Sequence, residues 1–214
     1  YKGLVYCVTV PNGTLVTRRN GSVLISGNCW AYSTTSGAML CRARDGQPYV
    51  RLSGHSMACK IKNFRDQGGW NTQSVEFIIK NGCASTLFWP EKSMNRSYDN
   101  PATWENAKNY QLTEGFMDIV PAQWDRNLSF DQWFTCLLLR IPCPSDYNWW
   151  GHSVCAMDPV EVDDSLPLSD IRRWGGRIWN SWRDSYGLNG TAVLVGNRAV
   201  PNGSTAMKSL ELAA

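Results

Sequence analysis

The first 27 residues consist of short apolar runs separated by turn residues. Residues 4–10 are rich in β-branched and aromatic side chains and are followed by Pro-Asn-Gly, and an Asn-Gly pair lies between two further apolar runs, 14–17 and 22–25. Asn-Gly between such runs is a strong hairpin signal, because both residues tolerate the positive φ that a tight turn requires. The pattern therefore predicts a three-stranded β-meander over residues 1–27.

The pattern changes abruptly at Cys29. Residues 29–44 mix large apolar side chains with small ones and contain no proline, which predicts a helix that begins at Cys29. Further helices are predicted over residues 53–64, over 72–80, where an Asn-Gly pair provides a stop signal, and over 102–110. The first half of the chain is thus predicted to be mainly helical.

Short apolar runs dominate the second half of the chain and favour strands. Strands are predicted over residues 135–140, 153–157, 177–179 and 191–195, and the acidic, proline-containing stretch 158–167 is predicted to be a loop. A helical half followed by a strand-rich half predicts an α+β fold.

Size and charge exclude several functional classes. The chain has 214 residues, 43% of them hydrophobic, which is enough for a sizeable core. Its apolar stretches fall short of the roughly 18 residues of a membrane span, so we expect no membrane partner. Of the 21 basic residues three precede Cys29, whereas none of the 18 acidic ones does. The remainder is electrically balanced, which argues against a nucleic-acid partner and indicates a different origin for residues 1–28.

The cysteines indicate the compartment. The eight cysteines include no C-x-x-C pair, so we expect no metal site, no redox dithiol and no cofactor. An even number could form disulfides in a secreted protein, but the chain opens with no basic-then-apolar leader. We therefore expect reduced thiols in a cytoplasmic protein, in a host cell or associated with a virion.

Because the chain begins at Tyr1, we expect a fragment or a processed product.

Three residues have the chemistry of a nucleophilic thiol site. Cys29 lies at the predicted start of a helix, where the positive end of the helix dipole favours a thiolate. His152 precedes an apolar strand and could supply an imidazolium, and Asn180, between two tryptophans, could orient that ring with its amide. The chain's other histidine, His55, is expected on a helix surface.

Short blocks around these three residues resemble the active-site blocks of papain-like cysteine peptidases. The blocks, in the family's order, are Gly-Asn-Cys-Trp-Ala-Tyr-Ser (27–33), Gly-His-Ser-Val (151–154) and Trp-Asn-Ser-Trp (179–182). The resemblance implies a two-lobed fold, with a helical left lobe and a β-rich right lobe, and hydrolysis of peptide bonds through a thiol acyl-enzyme. It implies that Cys29 is the nucleophile, His152 the base and Asn180 the residue that orients the imidazole.

A fourth segment, Gln-Gly-Gly-Trp (67–70), resembles the family's Asn-Gly-Gly segment. The resemblance implies that Gly68 and Gly69 line the cleft and bind the substrate backbone, and that Trp182 is a further substrate-binding residue. A peptide or a protein is the implied substrate.

The chain departs from the papain-like pattern at three positions. Ser26 and Asp66 stand where the family usually has cysteines, so one family disulfide is missing, which agrees with a reducing compartment. Val23 stands where the family has a glutamine whose amide donates to the oxyanion. Loss of one such donor typically lowers the rate on the order of 10²- to 10³-fold. The chain as written thus lacks half of an oxyanion hole.

Two segments before Cys29 resemble the C-terminal splicing blocks of inteins. They are residues 5–10 and 18–28, and such blocks form strands and end in an asparagine followed by Cys, Ser or Thr. The resemblance implies that Cys29 receives an upstream acyl group. It also implies that the Asn28 side-chain amide then attacks its own carbonyl, so that the intein leaves as a succinimide.

The splicing blocks also depart from their family pattern. Cys7 stands where aspartate is common and is a candidate extra nucleophile or activating thiol, and Gly27 stands where histidine is frequent. An alternative is that residues 1–28 are an N-terminal arm or short propeptide of a peptidase that is active as this chain. We favour the intein, because Val23 would deprive such an enzyme of an oxyanion donor, whereas a residue other than glutamine is expected there if an intein interrupts the peptidase.

The combined hypothesis divides the chain into an intein segment (1–28) and a papain-like peptidase domain of phage or bacterial type (29–214). The partner would be an N-terminal intein fragment, or missing upstream sequence, that carries the glutamine. Splicing would join the glutamine segment to Cys29, so the peptidase is expected to be inactive beforehand. A third hypothesis is an inactive papain-like module that serves in binding or virion assembly.

Overall fold

A hairpin precedes the first helix. The computed structural model describes the backbone of residues 15–19 and 22–26, together with residues 29–112, 116–181 and 190–207. Strands β1 (Leu15–Arg19) and β2 (Ser22–Ser26) pair antiparallel. They correspond to the second and third strands of the predicted meander, and the first, over 4–10, lies outside the described residues.

Helices make up the first lobe. They are α1 (Cys29–Arg44), α2 (Gly54–Ile61), α3 (Asn71–Asn81) and α4 (Pro101–Lys108), which confirms the helices predicted in this half. The helix ends follow the local chemistry. The Asn100 side chain accepts a hydrogen bond from the Thr103 N–H at the start of α4, and α3 stops at Gly82, whose φ is 77°.

Helix α5 (Arg126–Leu138) occupies most of the segment in which a strand is predicted over 135–140, so that prediction is wrong. The Asp125 side chain caps the helix by accepting from the Leu128 N–H. Phe130, Trp133 and Leu137 are buried at helical spacing. The short apolar run is compatible with either structure, and the burial of one helix face decides between them.

A six-stranded antiparallel sheet of order β3-β8-β4-β5-β6-β7 forms the second lobe. Its strands are β3 (Phe116–Ile119), β4 (Cys143–Tyr147), β5 (His152–Glu161), β6 (Trp174–Trp179), β7 (Thr191–Val195) and β8 (Gly203–Met207). The strands predicted over 153–157, 177–179 and 191–195 are confirmed, whereas β3, β4 and β8 are not predicted. The predicted loop 158–167 is wrong at its start, because residues 158–161 pair with β6.

Each lobe has its own hydrophobic core. Trp30 lies in the helical core, and Trp133 lies in the core between α5 and the sheet. Helix α1 packs against β5 and so connects the lobes. The same helix lies close to the end of β8 at Gly37, where a Cβ would overlap the Met207 side chain. The fold is α+β with two lobes, as predicted, and the start of α1 lies beside the start of β5. Within the described ranges, none of the helices has the length and apolar character to cross a membrane.

Candidate active site

Cys29 and His152 line one pocket between the lobes. Cys29 is the first residue of α1 and His152 is the first residue of β5, and the pocket has a volume of about 200 Å³. Gly68 and Gly69, from the segment before α3, line the same pocket. The fold thus brings together four residues that the sequence analysis singles out. We call this space the catalytic pocket.

Asn180 holds the imidazole of His152. His152 Nε2 lies 2.9 Å from Asn180 Oδ1, and both residues are only 3% exposed. An amide oxygen accepts hydrogen bonds, so in the neutral ring Nε2 carries the proton and Nδ1 is the basic nitrogen. The Trp150 ring meets the imidazole edge-on, with 4.9 Å between the ring centroids. This is the geometry that an amide needs in order to orient a general base.

Burial acts against ionisation of the Cys29 thiol. It raises the pKa of Cys29 to about 11, although a hydrogen bond from the Ser153 backbone lowers it, and the Asp146 carboxyl contributes to the rise. The acidified thiol that the sequence predicts stays a prediction. At neutral pH the sulfur keeps its proton, so a base must take that proton as the sulfur attacks.

A buried polar network lies directly behind the catalytic pocket. The Ser33 and Ser153 hydroxyls are 2.9 Å apart, and both lie within 3.1 Å of Asn71 Oδ1. Asn71 Nδ2 donates to Asp146 Oδ1 at 2.9 Å. These four residues come from α1, α3, β4 and β5, so the network fixes the start of α1 relative to the start of β5.

Asp146 is the charged member of this network. Burial raises the pKa of Asp146 to about 6, against the opposing effect of hydrogen bonds from Ser153 and Asn71. The residue also lines the catalytic pocket. The pocket thus contains a carboxyl group that changes its charge close to neutral pH.

Gly69 is required by close packing against Trp30. A Cβ at Gly69 would lie 2.5 Å from the Trp30 ring, so a side chain would displace either the backbone or the indole. A Cβ at Gly68 would meet nothing within 4 Å. The packing explains the position of this segment at the edge of the pocket. Binding of substrate backbone by the two glycines stays a prediction.

Several predicted functional residues lie outside the described residues. Among them are Cys7 and Asn28 of the splicing site and Trp182 of the substrate-binding cleft. Val23 is described only as part of the backbone of β2. The expectations for the splice junction and for the oxyanion hole therefore stay predictions.

Three polar residues of the site are not predicted from the sequence. Ser153 and Asn71 had a local signal, because Ser153 lies within the Gly-His-Ser-Val block and Asn71 directly follows Gln-Gly-Gly-Trp. Asp146 had no such signal. Its position beside Cys29 results from the pairing of β4 with β5, in which it lies opposite Ser153.

His55 and the remaining cysteines lie apart from this chemistry. His55 lies on α2 and is half-buried, and its Nδ1 lies 3.0 Å from the Tyr32 hydroxyl. Burial lowers the pKa of His55. The seven cysteines among the described residues are all free thiols. In the same part of the chain, no cluster of three or more His, Cys, Asp or Glu side chains could hold a metal ion.

Solved structures of cysteine proteases share this architecture. The digestive procathepsin L 3 of Tenebrio molitor larval midgut matches with a TM-score of 0.63 and 16% identity, over 85% of this chain and 63% of its own. Xylellain, a cysteine protease from Xylella fastidiosa, matches with a TM-score of 0.59 and 18% identity, over 86% of this chain and 80% of its own. The chain has the papain-like fold.

The ragweed pollen allergen Amb a 11, a cysteine protease in its proform, has a TM-score of 0.60 and 14% identity over 85% of this chain. The chain spans 63% of the length of the beetle procathepsin and 59% of that of the ragweed protease. No protein-family model matches the chain, and no curated protein sequence matches it. At these identities the papain-like fold is established, and the activity is argued from the site.

Proposed function

We propose that the chain is a papain-like cysteine peptidase that hydrolyses peptide bonds through an acyl-enzyme at Cys29. One observation carries this proposal: His152 Nε2 lies 2.9 Å from Asn180 Oδ1 in a pocket that Cys29 also lines. The pairing leaves Nδ1 as the basic nitrogen of an oriented ring, and a nucleophilic thiol requires such a base.

Acylation uses the proton of the neutral thiol. The proton passes from Cys29 to His152 Nδ1 while the sulfur forms a bond with the scissile carbonyl carbon. The imidazolium then protonates the leaving amine as the C–N bond breaks. Because burial raises the pKa of Cys29, transfer of this proton accompanies attack, and Asn180 keeps the ring directed during it.

In deacylation His152 again acts first as a base and then as an acid. His152 takes a proton from water as the water oxygen attacks the thioester carbon. The C–S bond then breaks, and the sulfur regains a proton from the imidazolium. The network behind the pocket supports both steps, because it holds the α1 and β5 ends together at a fixed distance.

Alkylation by a peptidyl epoxide tests the peptidase proposal. We expect selective labelling of Cys29, mapped by mass spectrometry, and a rate about 10²-fold lower in His152→Ala, which lacks the base. His55→Ala is the matched control, because it removes the chain's other histidine, and its rate should match that of the unmodified chain. Equal rates in the two histidine variants would favour the inactive papain-like module.

We further propose that residues 1–28 are the C-terminal segment of an intein and that residues 29–214 are the peptidase. Three features support this division: Val23 in the glutamine position, the hairpin directly before α1, and an Asn-Cys junction at the strand-to-helix boundary. Cys29 takes an upstream acyl group as a thioester by exchange: the ester or thioester bond at the start of the N-terminal intein fragment breaks, and its leaving oxygen or sulfur takes the proton of the Cys29 thiol. The Asn28 side-chain nitrogen then closes on its own carbonyl and breaks the peptide bond to Cys29, whose freed amine takes over the acyl group.

Intact mass after mixing with a matched N-terminal intein fragment tests the splicing proposal. We expect release of residues 1–28 as a succinimide and ligation of the glutamine segment to Cys29. Asn28→Ala should block the release, Cys7→Ala should slow the reaction, and Cys59→Ala, a buried thiol in the helical lobe, should change neither. Peptidase activity of the unspliced chain, without any mass change, would instead support an N-terminal arm.

A further inference from the structure

A second cleft adjoins the catalytic pocket. It has a volume of about 430 Å³, and Trp70, Asp146 and Asn148 line both spaces. The start of α3, the segment from β3 to α5, and the start of β8 complete its walls. A peptide bound across the catalytic pocket would therefore place a neighbouring side chain in this cleft. We call it the acidic cleft.

Two carboxylates give the acidic cleft its charge. Of the described residues that line it, Asp118 and Asp146 are the charged ones. Both carboxylates accept hydrogen bonds from neutral groups: Asp118 Oδ1 accepts from Thr72 at 3.5 Å and from Thr205 at 3.4 Å, and the Asp146 carboxyl accepts from Asn71 and Ser153. Within the described ranges, no lysine or arginine lies at ion-pair distance from either carboxylate.

The other walls suit a long aliphatic chain. Trp70 and Trp124 line the cleft and are 68% and 78% exposed, so their indole surfaces face solvent. Gly203 lies beside Asp146, and a Cβ there would stand 3.6 Å from Asp146 Oδ2. Any larger side chain at position 203 would begin in contact with this oxygen, and glycine leaves that space free. Lysine and arginine combine such an aliphatic stem with a cationic end.

We propose that the acidic cleft binds a lysine or arginine side chain of the substrate, next to the bond that Cys29 attacks. This selectivity rests on the proposed peptidase function. The cation would form charge-assisted hydrogen bonds with Asp146 and Asp118, while its stem packs against the tryptophans. A partly buried carboxylate without a cationic partner gains more from such a ligand than an exposed one, because solvent screens the pair less.

A pair of peptidyl epoxides that differ in one charge tests this selectivity. One probe carries lysine at the position beside the epoxide, and the other carries norleucine, which has the same four-carbon stem without the ammonium. Alkylation of a thiol forms no tetrahedral oxyanion, so the measurement does not depend on the residue at position 23. We expect the lysine probe to label Cys29 about tenfold faster, as for one charge-assisted hydrogen bond.

The rate ratio of the two probes is the quantity to compare among variants. Asp118→Asn should lower the ratio to a few-fold, and Asp146→Asn should lower it to about one. Any change in the reactivity of Cys29 cancels in the ratio. Asp131→Asn removes an exposed carboxylate of α5 that does not line the cleft, and it should leave the ratio unchanged.

The outcomes separate the two proposals. Equal labelling by the lysine and norleucine probes would overturn the selectivity and leave the peptidase function standing. A lysine preference that survives in both Asp118→Asn and Asp146→Asn would also overturn it. Failure of every peptidyl probe to label Cys29 would overturn the proposed function, and the selectivity with it.

Discussion

The catalytic pocket and the acidic cleft share a wall, but their polar groups are satisfied in different ways. In the catalytic pocket His152 is paired with Asn180, and the serines behind it are paired with Asn71. In the acidic cleft Asp118 and Asp146 meet hydroxyl and amide donors from the protein. The hydrogen bonds of the catalytic pocket orient the proposed reacting groups, whereas the carboxylates of the acidic cleft remain available for a cationic ligand under our proposal.

Removal of the nucleophile should have the largest effect. In Cys29→Ala we expect kcat/KM of the proposed peptidase, measured after splicing, to fall by at least about 10⁴-fold, because Cys29 carries the thiol among the described residues that line the catalytic pocket. A fluorogenic peptide assay measures this. Cys59→Ala should retain activity within about twofold, since the Cys59 thiol is buried in the helical lobe and does not line the catalytic pocket. Comparable activity of the two variants would remove Cys29 from the mechanism and end the contrast between the two spaces.

Loss of the orienting amide should have the next largest effect. Asn180→Ala should lower kcat by about 10²-fold with little change in KM, because a misdirected imidazole slows proton transfer without weakening substrate binding. Asn180→Asp keeps an accepting oxygen and should recover part of the loss. A change confined to KM would place Asn180 in substrate binding instead of positioning.

Truncation of the network amide should mainly affect stability. Asn71→Ala removes one hydrogen-bond partner from each of the Ser33 and Ser153 hydroxyls and from the buried Asp146 carboxyl, so we expect a loss of about 2 kcal/mol in unfolding free energy. Chemical denaturation measures it. Gln73→Ala, on the exposed side of the same helix, should cost less than about 0.5 kcal/mol. Equal losses would show that the network does not hold the lobes together.

The pH dependence of the lysine preference should be the smallest effect. Burial raises the pKa of Asp146 from its ordinary range to about 6, so the carboxylate is charged above that pH and is neutralised as the pH falls through it. We expect the lysine-to-norleucine ratio to fall about fivefold between about pH 7.5 and pH 5. Cys29, His152 and Asp118 also face these spaces. Effects on Cys29 and His152 cancel in the ratio.

Asp146→Asn is the control for this pH dependence. Its ratio should stay near one across the same pH range, because the amide does not titrate. A ratio in the unmodified chain that does not change with pH would show that Asp146 does not contact the cation. The preference would then rest on Asp118 alone.

The helical lobe was largely predictable, whereas three of the six strands of the sheet were not. Helices α1 to α4 carry local signals, such as the Asn-Gly stop after α3 and the Asn-Pro start of α4. The segment 135–140 carries an ambiguous apolar run, and only its packing against the sheet makes it helical. Strands β4 and β8 carry polar residues that face the core, so apolar and polar residues do not alternate clearly along them. These residues are buried because the two strands pair with each other across a long stretch of chain.

The candidate site shows the same division. Cys29, His152 and Asn180 stand in recognisable blocks, so their identity and order followed from the amino-acid sequence, as did the α+β class. Tertiary structure alone decided the burial of the Cys29 thiol, the polar network behind it and the acidic cleft. Burial and long-range strand pairing set these properties, because a carboxyl or a thiol changes its pKa according to the groups that surround it in space, and those groups are distant in the chain.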